Sequence, residues 1–159
     1  MKRLPNNAAH KALYEFLSSN IETPVYDYVP QDAALPFVTL GAVNVEDKST
    51  KSEDMTHVTV QIHLWSDYKG RYEINNLAEE IINLLGNNQL DLTDDGFYAN
   101  AQGVDFYETY PEEESGYNGV LTFEMLVQDI GATSDEEETD EETEAAGDDD
   151  VEDEEGGES

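Results

Sequence analysis

A short acidic segment beginning at Asp91 has residue types and spacing that could bind a calcium ion. The loop of an EF-hand carries oxygen ligands at its first, third and fifth positions, glycine at its sixth and a bidentate glutamate at its twelfth. Asp91, Thr93 and Asp95 take the first three of these ligand positions. Gly96 takes the sixth, but Gln102 stands at the twelfth, and no helical pattern follows. We therefore favour an acidic turn in which glycine supplies a positive φ.

The three histidines are the other residues that could hold a metal ion or transfer a proton. His57 and His63 point to one face of a predicted strand, but six residues at about 3.3 Å each separate them by about 20 Å, too far for one metal. His10 lies on a predicted helix. The chain has no cysteine, no glycine-rich phosphate loop, no nucleophile elbow and no His-Glu-x-x-His string. Carboxylates are so numerous that a close pair is expected by chance, so we predict no enzyme, no cofactor and no metal site.

Acidic residues dominate the composition and are unevenly distributed. The 159 residues include 38 Asp or Glu against seven Lys or Arg, a formal net charge of −31. Sixteen of the last 26 residues are acidic and none is basic, which leaves 22 acidic against seven basic residues in positions 1–133. Such a chain repels nucleic-acid phosphates and anionic lipids. We therefore predict no specific nucleic-acid binding and no membrane association; the apolar runs are also far shorter than the roughly 20 residues of a membrane helix.

Two segments show the 3.6-residue periodicity of amphipathic helices. The first runs from Asn7 to Ile21, with Asn6 or Asn7 as the expected N-cap. The second runs from Arg71 to Leu85, with Gly86 expected as its C-terminal glycine. Their apolar stripes consist of Ala9, Ala12, Leu13, Phe16, Leu17 and Ile21 in the first helix, and of Ile74, Leu77, Ala78, Ile81, Ile82 and Leu85 in the second.

Alternating apolar residues predict the strands. The alternation is clearest in the segment that ends at Trp65, and it changes phase near Gly41, which indicates a β-bulge there. The expected strands are, in order, Val25–Val29, Phe37–Val45, His57–Trp65, two weaker strands within Leu90–Tyr110 about the turn Thr93–Gly96 with a further break at Gly103, and Val120–Ile130.

Short connections between neighbouring strands favour antiparallel pairing. The sequence therefore predicts an α+β fold, a mainly antiparallel β-sheet with two amphipathic helices packed on one face, over residues 1–131. Residues 132–159 are predicted to form a disordered acidic tail, because they hold too few apolar side chains for a core. Such a tail would keep the protein soluble; a sharper hypothesis is that it discourages premature assembly or repels DNA.

Several short strings follow one another in a definite order over residues 7–130. They are Val29-Pro30, Leu35-Pro36-Phe37-Val38, Gly41, Leu64-Trp65-Ser66 and, after a glycine, the amphipathic helix Arg71–Leu85. This ordered set resembles the tail-terminator, or tail completion, family of long-tailed bacteriophages. The acidic tail does not belong to the pattern.

The resemblance implies a structural role. Members of this family assemble as a ring, usually of six subunits, on the head-proximal end of the tail tube. They stop polymerisation of the tube protein and present a surface to the head-side connector, and DNA can pass through the ring. The expected location is therefore the virion tail, after assembly in the host cytoplasm, and the role involves no cofactor and no reaction.

Two features are candidates for contacts between subunits. Trp65 stands at the end of the clearest strand, on the side opposite its apolar face. It is either part of a second buried layer or an anchor between subunits, since aromatic residues are enriched in interface cores. A polar segment expected to be a mobile loop is the second candidate, because such a loop can be ordered on a partner at little cost; its candidate residues are Glu46, Asp47, Lys48, Lys51 and Met55.

A different class of function is also compatible with the composition. The acidic tail could bind a basic protein by electrostatic attraction, which would make the chain a soluble adaptor. The tail terminator and the adaptor differ in whether the protein determines the length of a tail tube.

Overall fold

The structure is a computed structural model that describes residues 1–131. The predicted acidic tail, residues 132–159, lies outside the described residues, so its disorder stays a prediction. The described elements are helix α1 (Asn6–Asn20), strands β1 (Val25–Tyr26), β2 (Phe37–Asp47) and β3 (Met55–Ser66), helix α2 (Tyr72–Asn87), a 3₁₀ turn (Thr93–Asp95), and strands β4 (Phe97–Pro111) and β5 (Tyr117–Asp129).

The five strands form one sheet in the order β1-β2-β3-β5-β4. Every pairing is antiparallel except that of β1 with β2, which is parallel. The two central strands, β3 and β5, are paired over twelve residues, from Met55 opposite Gln128 to Ser66 opposite Tyr117. The predicted α+β fold with a mainly antiparallel sheet is confirmed.

The core lies between one face of the sheet and the two helices. Both helices bury their apolar stripes in a single cluster with the inward residues of the strands. The alternation predicted for the central strands is confirmed, because all eight inward side chains are at most 1% exposed: Val58, Val60, Ile62 and Leu64 on β3, and Leu121, Phe123, Met125 and Val127 on β5. Neither helix of residues 1–131 has the length and apolar content needed to cross a membrane.

Bulges explain where the strand predictions succeeded and where they failed. The register of β2 against β3 shifts between Leu40 and Val43, which confirms the bulge predicted near Gly41. The turn predicted at Thr93–Gly96 is present, but residues 90–92 before it form no strand. The further break predicted at Gly103 is wrong, because β4 is one continuous strand of 15 residues. Its register against β5 shifts twice, between Ala99 and Ala101 and again between Val104 and Phe106. Each extra residue reverses which side chains face the core. The alternation in the sequence is therefore interrupted although the strand continues.

The start of α1 differs from the prediction. Neither Asn6 nor Asn7 is the N-cap; the cap residue is Pro5, and no side chain caps the helix. The carbonyl of Pro5 accepts the first helical hydrogen bond, from the Ala9 N–H at 2.8 Å. Proline lacks an N–H and is therefore compatible with a helix start.

The end of α2 also differs from the prediction. Gly86 lies inside the helix, which continues to Asn87 and has Asn88 as its C-cap in an extended conformation. The side-chain amide of Asn88 donates to the Leu84 carbonyl at 3.0 Å, and that of Asn87 donates to the Asn83 carbonyl at 2.8 Å. These asparagines satisfy carbonyls at the helix end that a glycine cap would otherwise satisfy through the backbone.

Candidate assembly surface

The outer face of the sheet, the face away from the core, carries the candidate functional residues. Neither helix packs on it, since both are buried against the inner face. From His57 to Trp65 the outward residues of β3 are half-buried or exposed, in contrast to their inward neighbours. On β4, Phe106 and Tyr110 are 53% and 41% exposed and stand on this face. The outer face therefore presents aromatic surface that a partner could cover.

Trp65 is held in a fixed orientation on this outer face. It lies opposite Phe37 of β2 and Asn118 of β5. Its indole N–H donates to the Thr39 hydroxyl at 3.0 Å, and the His63 ring stacks on it with 6.0 Å between centroids. The side chain is half-buried. It therefore packs in a second aromatic layer and keeps some exposed surface, and its role as an anchor between subunits stays a prediction.

A cleft of about 520 Å³ opens beside Trp65. One wall consists of Phe37 and Trp65, and another comes from Leu35 in the segment before β2. The rim is the loop between β4 and β5, which presents three consecutive glutamates, Glu112–Glu114. Within residues 1–131 none of these three carboxylates takes part in an ion pair. The cleft thus combines an aromatic wall with uncompensated negative charge.

Gly116 brings this acidic loop against the end of β3. Its φ is +89°, a conformation that side-chain-bearing residues rarely adopt. A Cβ atom here would also collide with the carbonyl of Ser66 and lie 2.8 Å from the Cα of Asp67. The loop is closed by a hydrogen bond from the Glu112 N–H to the Gly116 carbonyl at 3.0 Å. The position of the glutamates next to Trp65 therefore depends on a glycine.

Asn118 is a residue that the sequence analysis missed. It stands opposite both Trp65 and Tyr110 on the outer face, yet it is fully buried. Neither its amide nitrogen nor its amide oxygen has a hydrogen-bond partner among the described residues. Buried amides normally have partners, so Asn118 is an exception among the buried residues. Its only signal in the sequence is a polar residue at an outward position of β5, which does not reveal burial.

The predicted interface loop is a hairpin at the opposite end of the sheet. The turn is shorter than expected, because the flanking strands extend into it. Backbone hydrogen bonds close it from the Lys48 N–H to the Met55 carbonyl and from the Thr50 N–H to the Glu53 carbonyl, both at 2.9 Å. Of the predicted residues, Glu46 and Asp47 end β2, Lys48 and Lys51 lie in the turn, and Met55 begins β3 with its side chain buried.

The amino group of Met1 fastens this hairpin to the start of the chain. It lies 3.1 Å from a carboxylate oxygen of Asp47 and 3.1 Å from one of Asp54. Hydrogen bonds to these two carboxylates raise the pKa of the amino group. Hydrogen bonds from the Ser49 hydroxyl and from the amino group lower the pKa of Asp47 to about 2. The hairpin is thus held by a network of hydrogen bonds. Lys51 lies in its turn with an exposed side chain.

The structure does not bring the two groups of predicted interface residues together. The hairpin joins the start of β3 at Met55, and Trp65 lies near its end. Ten residues at about 3.3 Å each place them about 33 Å apart. Their roles in subunit contacts stay predictions, and these roles would concern two separate surfaces.

The segment that resembles a calcium loop is a turn with its own hydrogen bonds. A carboxylate oxygen of Asp91 accepts hydrogen bonds from the N–H and hydroxyl of Thr93, and these bonds lower its pKa. Gly96 has a φ of +80°, which confirms the predicted glycine conformation. Gln102, at the twelfth position, instead donates to the Leu85 carbonyl at the end of α2, at 2.9 Å. Within residues 1–131 no group of three or more His, Asp or Glu side chains could hold a metal ion.

Each histidine has its own separate neighbour. His10 lies 3.1 Å from a carboxylate oxygen of Asp27, and His57 lies 3.3 Å from one of Glu124. His63 stacks on the indole described above. The histidines therefore contribute to local packing and polar contacts in three different places.

Comparison with known proteins supplies a family and a shared fold. The family model for tail completion protein gp17 matches residues 4–128. A solved chain described as "Virion of native gene transfer agent (GTA) particle" has a TM-score of 0.67 and 22% sequence identity, and the match covers 77% of this chain and 96% of that chain. At this identity the likeness establishes the fold. No curated protein matches the chain significantly.

Proposed function

The chain belongs to the tail completion protein gp17 family, a family of structural proteins of virion tails, and on that premise we propose that it forms a ring on the head-proximal end of a tail tube. In this role it ends polymerisation of the tube and joins the tail to the head-side connector. The ring is expected to have six subunits. The observation that carries the proposal is the family match. It covers residues 4–128, from just before α1 almost to the end of β5, and so nearly all of the described fold.

The edges of the sheet support assembly with further subunits. One edge is β1, which has only two residues, and the other is β4, which has 15. Within the described residues β4 pairs on one side alone, with β5. An unpaired edge of this length, next to exposed aromatic side chains, is a liability for an isolated monomer and suits a subunit that packs against others. A closed ring of identical subunits needs a heterologous contact, in which one patch of each subunit meets a different patch of the next subunit.

The charge of the domain sets a condition on assembly. Residues 1–133 carry 22 acidic and seven basic residues, so subunits repel one another at low salt. Screening shortens this repulsion to about 10 Å at 0.1 M salt. We expect the ring to become more stable as salt is added, or to form only on the tube end. Sedimentation at low and high salt, with and without tube protein, measures this directly.

Removal of the protein from its virus is the direct test. Without it we expect tails of irregular length that carry no heads, and normal tails should return when the gene is supplied in trans. A soluble adaptor would leave tail length unchanged, which separates the two classes of function. Tails of normal length with attached heads in its complete absence would contradict the proposed role.

Trp65 is the residue of this surface to test first. Trp65→Ala should give a folded protein that fails to restore tails, while Tyr72→Ala should restore them. Tyr72 is a suitable control because it is 72% exposed on α2, on the other side of the sheet. If Trp65→Ala restored tails fully, Trp65 would not be an interface residue. The proposed role itself would still stand.

A further inference from the structure

We propose that the cleft beside Trp65 is a docking site for a basic side chain, arginine foremost, carried by a partner protein. The shape and charge of the cleft select the basic group. That the partner is another virion protein rests on the proposed function.

Charge complementarity is the first argument. The rim carries Glu112, Glu113 and Glu114, and no residue that lines the cleft is basic. The nearby cation Arg71 is already engaged, since its guanidinium lies 4.6 Å from the centre of the Tyr117 ring and its Nε donates to Thr109. Three adjacent carboxylates without a cation attract a positively charged group into the cleft.

The aromatic wall makes the site more specific than a set of carboxylates alone. Indole and phenyl rings attract cations, and the planar guanidinium of arginine stacks on such rings. Trp65 and Phe37 supply the rings, with 6.4 Å between their centroids. The hydrogen bond to Thr39 fixes the indole before any partner arrives, so little freedom is lost on binding.

A second copy of this chain fits the cleft poorly. Its hairpin carries Lys48 and Lys51 but also Glu46, Asp47, Glu53 and Asp54, so the hairpin is net negative. Such a hairpin would be repelled by the glutamates of the rim. The occupant that the charges favour is therefore a basic segment of a different protein.

Trp65 is the only tryptophan of the chain, so its fluorescence reports on this cleft alone. The probe is a blocked triarginine peptide, added to the full-length protein, with trilysine and triglutamate peptides for comparison. We expect triarginine to change the emission of Trp65 saturably, trilysine to act more weakly and triglutamate to have no effect. Binding of triarginine to the acidic tail does not confuse this readout unless it also changes the environment of Trp65.

Two triple variants of equal net charge separate the rim from the overall charge. The first variant removes the three negative charges of the rim. The second removes the charges of three exposed glutamates of the helices, on the far side of the sheet. We expect the first to weaken the triarginine response at least about fivefold and the second to change it less than twofold, because the rim charges line the cleft and the helix charges do not. The variants are Glu112→Gln, Glu113→Gln and Glu114→Gln in the first, and Glu15→Gln, Glu79→Gln and Glu80→Gln in the second.

Quenching by small ions gives a second measurement. The rim should concentrate caesium near Trp65 and exclude iodide, so the ratio of caesium to iodide quenching should fall severalfold in the rim variant and stay unchanged in the helix variant. An equal ratio in both variants, or no response to triarginine in the unmodified protein, would overturn the docking site.

The two proposals fail in different ways. Loss of the fluorescence response overturns the cleft even where tails still depend on the protein. Normal tails in the absence of the protein overturn the proposed function even where the peptide binds.

Discussion

Replacement of Gly116 by alanine should destabilise the protein and displace the acidic loop. Gly116 has a φ of +89°, and a Cβ atom there would collide with the Ser66 carbonyl. Forcing a side-chain-bearing residue into the left-handed region costs roughly 1–2 kcal/mol. The loop must also move away from β3 to relieve the collision, which breaks the hydrogen bond between Glu112 and Gly116 at a cost of about 0.5–1.5 kcal/mol. The expected loss in free energy of unfolding is about 1.5–3.5 kcal/mol.

Gly86 offers a matched control, because the same substitution there should increase the free energy of unfolding. It is exposed inside α2, and an added Cβ would meet no atom within 4 Å. Alanine at such a helix position stabilises by roughly 0.5–1 kcal/mol. The same chemical change should therefore weaken the fold at one glycine and strengthen it at the other.

Urea unfolding followed by circular dichroism measures both free energies. The emission of Trp65 in the native state should change for Gly116→Ala, because the glutamates leave its neighbourhood, and should stay constant for Gly86→Ala. Gly116→Ala with unchanged stability and unchanged emission would refute this description of the loop.

Three further predictions concern the core, the acid range and the tail. Ile81→Asp should unfold the domain, because Ile81 is fully buried, whereas Glu80→Ala on the exposed side should shift the urea midpoint very little. The pKa of Asp129 is lowered from 3.8 by a hydrogen bond from Arg3. Its contribution is therefore complete above the unfolded-state pKa and disappears as the pH falls through the lowered value, and Arg3→Ala should remove this part of the acid dependence of unfolding. Deletion of residues 132–159 should leave the thermal midpoint nearly unchanged, which calorimetry on both chains measures.

The sequence predicts those parts of the fold that depend on local pattern. The strict alternation of β3 and β5 predicts that the apolar side of each strand is buried, and the structure shows this burial. The two bulges of β4 hide its continuity, since each reverses the phase of the pattern. The ends of the helices depend on individual hydrogen bonds, such as the one from Ala9 to the Pro5 carbonyl, which compete closely with the asparagine and glycine caps that composition favours.

The candidate site was predictable only in part. The alternation of β3 places Trp65 on the face opposite the core, and this placement is correct, with the side chain half-buried there. Its neighbours are not accessible to the same reasoning, because Glu112–Glu114 follow more than 45 residues later. They reach the indole only through the pairing of β3 with β5 and of β5 with β4. Gly116 and Asn118 owe their roles to the same long-range register, which no local pattern encodes.

The separation of the two candidate surfaces bears on the proposed role, in which one small domain would join two structures. β3 carries the aromatic cleft near one end and the hairpin fastened by Met1 at the other, about 33 Å apart by strand rise. Because β3 is paired on both sides over most of its length, the sheet holds these ends at a fixed distance. The two ends also differ in chemistry, one acidic and aromatic, the other polar with charges of both signs. In the proposed role the subunit lies between a tube and a connector and needs two surfaces that do not compete for one partner, and a long central strand would provide them without a second domain.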